Sequence, residues 1–131
     1  MKAVSKASKE VMNKIIFGLQ IDKARKIDNA PGAFIPVIAE KIGNCEMGDI
    51  YSIAHYFKQN GDMMADPEMT FLKSNYGDFY PLSFKQDSLG LYQESVLFEG
   101  GKMKGIREKM QKEQTSFANI WMGNIKQQQG L

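Results

Sequence analysis

Segments of alternating apolar and polar residues, separated by clusters of turn-forming residues, run from Lys23 to Phe98 and constrain this chain more than any other feature. Period-two alternation is what a strand with one buried face requires, because successive side chains point to opposite sides of the sheet. Its clearest instance is Phe79 to Gln86, which sets Tyr80, Leu82 and Phe84 on one face and Pro81, Ser83 and Lys85 on the other. Asp49 to Lys58 sets Tyr51, Ile53, His55 and Phe57 against Ile50, Ser52, Ala54 and Tyr56, with Ile53 and Phe57 expected to face the core. Pro67 to Lys73 turns Met69 and Phe71 inward, Glu68 and Thr70 outward. Further strands are expected at about 23–28, 33–42 and 91–98; Pro36 cannot donate a ladder hydrogen bond and pushes the second of these towards an edge or a bulge. Short turns such as Asn29-Ala30-Pro31-Gly32, Ser74–Asp78 and Asp87–Gly90 link them, so an antiparallel meander of four to six strands is the simplest topology.

Two helical segments flank this block. Val4, Ala7, Val11, Ile15 and Leu19 recur every three or four residues and predict a helix over 5–19, its stripe widened by Met12 and Ile16. Met110, Phe117, Ile120, Trp121 and Ile125 do the same over about 107–128. Trp121 and Phe117 each bring on the order of 150 to 250 Å² of surface, enough together to cover much of a small sheet. The expected fold is α+β: a meander packed against an N-terminal and a C-terminal helix, with the 131 residues forming one domain.

Hydrophobic residues at 43% and charged residues at 24% match ordinary globular composition and disfavour disordered, collagenous and membrane classes. The lone Cys45 forms no internal bridge and fits a reducing compartment. No apolar run is long enough to span a bilayer, and Met1–Lys6 lacks the apolar core of a signal peptide, so the expected location is the cytoplasm, with no membrane partner. A net charge of +2 does not dictate a nucleic-acid partner. Lys2, Lys6, Lys9, Lys14, Lys23, Arg25 and Lys26 nevertheless make one basic segment, and Lys102, Lys104, Arg107, Lys109 and Lys112 another. These read either as solvated helix faces or as surfaces that meet phosphate or an acidic partner.

The chemically distinctive stretch is Ala54 to Phe71, which holds the only His, an Asn60-Gly61 turn, Asp62, Asp66, the Met63-Met64 pair and Pro67. His55 with Asp62, Asp66 and Glu68 offers the residue types of an acid/base or metal site. The spacing lacks the alternating oxygen ligands and downstream Glu of a calcium-binding EF loop, and turn formation accounts for the same residues. No glycine-rich phosphate loop or nucleophile elbow is present, and Cys45 has no second His or Cys to join it. We therefore expect no catalytic residue, metal or cofactor. Tyr and Phe on the sheet have the shape to stack nucleobases, but helices would cover the ring-rich face. Met63 and Met64 either offer a partner an adaptable apolar contact or pack back on the sheet. The expected partner-binding set is His55, Tyr56, Asn60, Asp62, Met63, Met64, Asp66 and Glu68.

The run Ala54-His55-Tyr56-Phe57-Lys58-Gln59-Asn60-Gly61-Asp62-Met63-Met64-Ala65-Asp66-Pro67-Glu68-Met69, with Tyr80–Asp87 and Phe117–Trp121, resembles a family of uncharacterised domains found on plasmids, conjugative elements and phages of bacteria. The likeness covers roughly Lys26 to Gln129 and brings no established reaction. It implies a small cytoplasmic protein carried by mobile DNA. By analogy with small proteins of that origin, it implies a non-enzymatic binder of a protein or ribonucleoprotein, such as an anti-CRISPR-like inhibitor. The alternatives are an acid/base or metal-dependent enzyme centred on His55, and a nucleic-acid-binding accessory protein using the basic helix faces.

Overall fold

Ser5 opens the first helix, α1 (Lys6–Ile16), by accepting the Ser8 N–H on its hydroxyl at 3.2 Å. The helix stops short of the apolar stripe that runs on to Leu19. Its last carbonyls are taken by Arg25, whose guanidinium donates to Ile15 O at 2.9 Å and Phe17 O at 2.6 Å. The computed structural model describes residues 1–131.

Six strands follow in a meander: β1 (Ala24–Ile27), β2 (Val37–Cys45), β3 (Gly48–Gln59), β4 (Asp62–Ser74), β5 (Phe79–Gln86) and β6 (Leu91–Glu94). Each is antiparallel to the next and adjacent in the same order. A separate hairpin, β7 (Val96–Glu99) and β8 (Lys102–Ile106), precedes the final helix α2 (Glu108–Gln129), which ends on Gly130 in the left-handed conformation. The architecture is thus α+β, with an antiparallel sheet between an N-terminal and a C-terminal helix in sequence.

The inner sheet face, with Val37, Ala39, Tyr51, Ile53, Met69, Phe71, Phe79 and Phe84, packs in one cluster with Val11, Met12, Ile15 and Ile16 of α1 and Ala118, Trp121, Met122 and Ile125 of α2. On the outer face Leu72 and Leu82, with Ile50 and Tyr80, lie under Val96, Phe98, Met103 and Ile106, so the β7–β8 hairpin covers half of that face.

Several expectations change. The strand expected over 33–42 runs from Val37 to Cys45, because Ala33 and Phe34 bond back to Ala30 O in a turn and Pro36 supplies no donor. The strand expected over 67–73 begins at Asp62, so Asp62–Asp66, left between the two expected strands, are ladder. The strand expected over 91–98 is two, broken at Ser95, whose N–H and hydroxyl both bond to Leu82 O. Lys102–Ile106 is strand β8: Gly100 and Gly101, both at positive φ, make a tight hairpin turn there. Phe84 does not share a face with Tyr80 and Leu82. The β4–β5 register slips beside Pro81, leaving Leu82 without a partner, and this bulge returns Phe84 to the helix side. Ile53 is buried as expected, whereas Phe57 is half-buried beyond the helices' main cover. On α2 Ile120 is 66% exposed, and its buried stripe instead includes Gln111, Gln114, Thr115 and Gln129.

Candidate functional site

The lengths of neighbouring strands create the most conspicuous feature. β2 pairs with β3 no further than Ile38↔Ala54, and β5 joins β4 only from Glu68↔Lys85. Beyond those points Tyr56↔Ala65, Phe57↔Met64, Lys58↔Met63 and Gln59↔Asp62 pair only with each other. At about 3.4 Å per residue, this two-stranded arm projects roughly 15 Å past the sheet. Asn60 (φ 52°) and Gly61 (φ 84°) close it with the two positive φ angles of a type I′ turn, the geometry that suits strand twist.

Its base is braced. The β3–β4 register slips between Ala54 and Tyr56, opposite Pro67, which has no N–H to offer. Gln86 donates to Asp66 Oδ1 at 2.9 Å, and Ala65 N–H donates to Asp87 Oδ2 at 2.7 Å, so the end of β5 and the 3-10 turn Asp87–Leu89 hold the arm's outer strand. Here the eight residues of the expected binding set divide. Asn60, Asp62, Met63 and Met64 lie on the arm, with Asn60 and Asp62 exposed and Met63 58% exposed. His55, Tyr56, Asp66 and Glu68 build its foot.

His55 turns to the helix side, its ring edge-on to Trp121 at 5.5 Å between centroids and 87° between planes. Both His55 Nε2 and Trp121 Nε1 are buried without a partner. Burial pushes the imidazole below its ordinary value, an effect opposed by the Asp66 carboxylate. Asp66 is engaged by Gln86, and Asp62 lies four rungs away at the tip. His55, Asp62 and Asp66 are not gathered round one point, and no three His, Cys, Asp or Glu side chains converge as a metal site would require.

On the outer face, Glu68 Oε2 accepts from Ser52 Oγ and from Tyr56 Oη, both at 3.0 Å, while the Thr70 and Ser83 hydroxyls bond to each other. The Tyr56 hydroxyl is pushed up to about 12, first by burial and then by the Glu68 carboxylate. Tyr56 and Glu68 belong to the expected set, whereas Glu40, Lys85, Tyr92 and Glu94, which share their face, do not. Only the cross-strand register brings these to the same face.

At the opposite end of the sheet, a cleft of about 540 Å³ lies between the β2–β3 and β4–β5 turns and β8, lined by Met1, Met47, Tyr76, Tyr80, Met103 and Ile106 with Glu46, Ser74 and Asn75. The basic segments are partly engaged in structure. Arg25 caps α1, Arg107 donates to Glu94 O, and Lys9 pairs with Asp78 at 3.3 Å. No helix is long and apolar enough to cross a membrane.

A family model described as Domain of unknown function (DUF6908) matches residues 4–131. No curated protein and no solved structure matches the chain.

Proposed function

We propose that this chain, which belongs to the family described as Domain of unknown function (DUF6908), is a non-enzymatic interaction protein that docks on a protein or ribonucleoprotein through the β3–β4 arm. The observation that carries this reading is the arm's reach: four rungs pair only with themselves, the last two of them exposed, and end on exposed Asn60, Asp62 and Met63. A free two-stranded ribbon is marginal in water, and this one is held by Asp87 and Gln86 at its foot. A braced ribbon meets a partner without first having to be ordered, which removes one cost of binding. Met63 supplies a flexible, polarisable contact at the tip, and Asp62 a charge that selects orientation.

The proposal extends to origin: a protein carried on mobile DNA that blocks a host or element-encoded machine, in the manner of an anti-CRISPR inhibitor. The support is the resemblance carried by Ala54–Met69, an analogy of context. The enzyme alternative centred on His55 draws no support from a ring packed against Trp121. The nucleic-acid alternative draws none from Arg25 and Arg107, whose guanidiniums are engaged by backbone carbonyls.

The test is a shortened arm. Removing Lys58, Gln59, Asp62 and Met63 rejoins Phe57 and Met64 through Asn60-Gly61 and keeps the hydrogen-bond phase of the ladder. The variant is expected to melt within about 3 °C of the parent, since the lost rungs bury little. It should no longer retain the partner that the parent captures reproducibly from the host. Retention of that partner by the shortened variant would overturn the reading.

A further inference from the structure

We infer that the uncovered half of the outer sheet face, at the foot of the arm, is a second contact surface whose occupant is a Lys- and Arg-bearing segment of the protein partner; this rests on the reading of the arm as a docking element. The register lays one straight row across five strands: Glu40, Ser52, Thr70, Ser83 and Glu94. The next row towards the arm is Lys26, Ile38, Ala54, Glu68, Lys85 and Tyr92. On the other side of the hydroxyl row the sheet is apolar and roofed by the β7–β8 hairpin. Along it the rims are open, with Glu40 and Glu94 exposed and Tyr92 62% exposed, while the small Ser52, Ala54 and Ser83 between them are buried.

The charges on this half-face are predominantly acidic, set against Lys26 and Lys85 in the same row and Lys58 two residues beyond Tyr56 on the arm. Glu40, Glu68, Glu94 and Asp87 bring four carboxylates, although the whole chain carries +2. Of the cations nearby, Lys85 is 3.7 Å from Asp87, Lys26 is 4.0 Å from Asp28 and Arg107 is turned to the Glu94 carbonyl. Glu40 and Glu94 have no ion pair within the chain, and four strand spacings of about 4.8 Å set their backbones roughly 19 Å apart. Between them the floor is already satisfied, because Ser52 and Tyr56 bond to Glu68 and Thr70 bonds to Ser83. It is an internally hydrogen-bonded surface with negative rims and an exposed phenol ring, which suits guanidinium and ammonium groups through charge and cation–π contact. Burial and then Glu94 and Glu68 raise the Tyr92 hydroxyl, and Glu68, Glu40 and Asp87 add to the effect of burial on Tyr56, so the carboxylates act on one shared region. Phosphate is repelled by the same field, so this face selects a protein over a nucleic acid.

The experiment uses the whole chain and a fluorescein-labelled oligo-arginine peptide, with oligo-glutamate and single-stranded DNA as controls. The expected result is salt-sensitive binding of oligo-arginine alone, weakened about tenfold by the pair Glu40→Lys and Glu94→Lys. The equal charge change Glu10→Lys with Glu113→Lys, on exposed positions of α1 and α2, should change it less than about twofold. Tyr92→Ala, which removes no charge, should weaken it by about threefold. Equal loss from both charge-reversed pairs, or no loss from the first, would overturn the inference. The shortened arm separates the two readings: it should keep oligo-arginine affinity while losing the host partner. If it keeps the partner, the arm reading fails; if Glu40→Lys with Glu94→Lys leaves oligo-arginine affinity intact, this inference fails.

Discussion

His55 is the only side chain whose ordinary titration falls near neutrality, and its burial against Trp121 makes the neutral ring the form that the fold prefers. With the folded value below the unfolded one, the unfolded chain takes up the proton first as pH falls. The stability is therefore complete above about pH 6.5 and declines as pH drops from there towards the folded value. Melting followed from pH 8 to pH 5 should give a steeper fall for the parent than for His55→Phe, which keeps an aromatic ring and cannot titrate; parallel curves would show that the imidazole is not coupled to folding. Gly48 makes a different residue-scale demand. It sits at φ 149°, and a Cβ there would run into the Lys73 carbonyl across the β3–β4 ladder. Gly48→Ala is expected to cost about 2 to 4 kcal/mol, read as a lowered urea midpoint at unchanged slope, because the obstacle is backbone and cannot swing aside.

At the scale of elements, most of the sheet was legible. Phe79–Gln86 and the Asn60-Gly61 hairpin carry local signals, and local signals are what period-two alternation and turn chemistry record. The arm's reach was not, since it depends on where β2 and β5 stop pairing, a property of neighbours. Face assignment failed at Phe84 because a bulge adds one residue and inverts parity beyond it, and alternation in sequence carries no mark of that slip except Pro81. Ser95, a small residue in an apolar run, concealed the switch between sheets. Gly100-Gly101 between Val96–Glu99 and Lys102–Ile106 was a readable hairpin signal that the charged residues of β8 obscured. That second hairpin is the roof of the outer apolar half, so it can be tested as an element. Replacing Gly100 and Gly101 by Val forces β-branched residues into positive φ, and is expected to lower stability by about 2 kcal/mol and to raise binding of a hydrophobic dye as Leu72 and Leu82 are uncovered. An unchanged dye signal would mean that the roof does not depend on its turn.

Over the whole molecule, α2 does more than complete the core. Gln111, Thr115 and Asn119 follow one another at helical spacing and form a polar seam to the N-terminal segment. Gln111 accepts the Lys2 N–H at 2.7 Å and donates to Lys2 O at 2.9 Å, Thr115 donates to the same carbonyl at 3.0 Å, and Asn119 accepts from Ser5 N and Ser8 Oγ, both at 2.9 Å. The sequence pattern does not mark these polar positions, because a helical stripe is ordinarily recognised by its apolar members. Gln111→Leu is expected to cost about 1 to 3 kcal/mol by leaving the Lys2 N–H unpaired and the Lys2 carbonyl with Thr115 alone, whereas Glu113→Leu on the exposed side should change stability by less than about 0.5 kcal/mol. Comparable urea midpoints for the two variants would show the seam to be dispensable.

The clasp between Lys2 and α2 also sets the order of events at the ribosome. Val4 through Ile106 emerge first, but the groups that close over the inner sheet face, Trp121, Met122 and Ile125, come last and bring the N-terminal clasp with them. A nascent chain therefore waits with only α1 to cover that face until α2 has cleared the exit tunnel, and its core closes after translation of the helix, not during translation of the sheet.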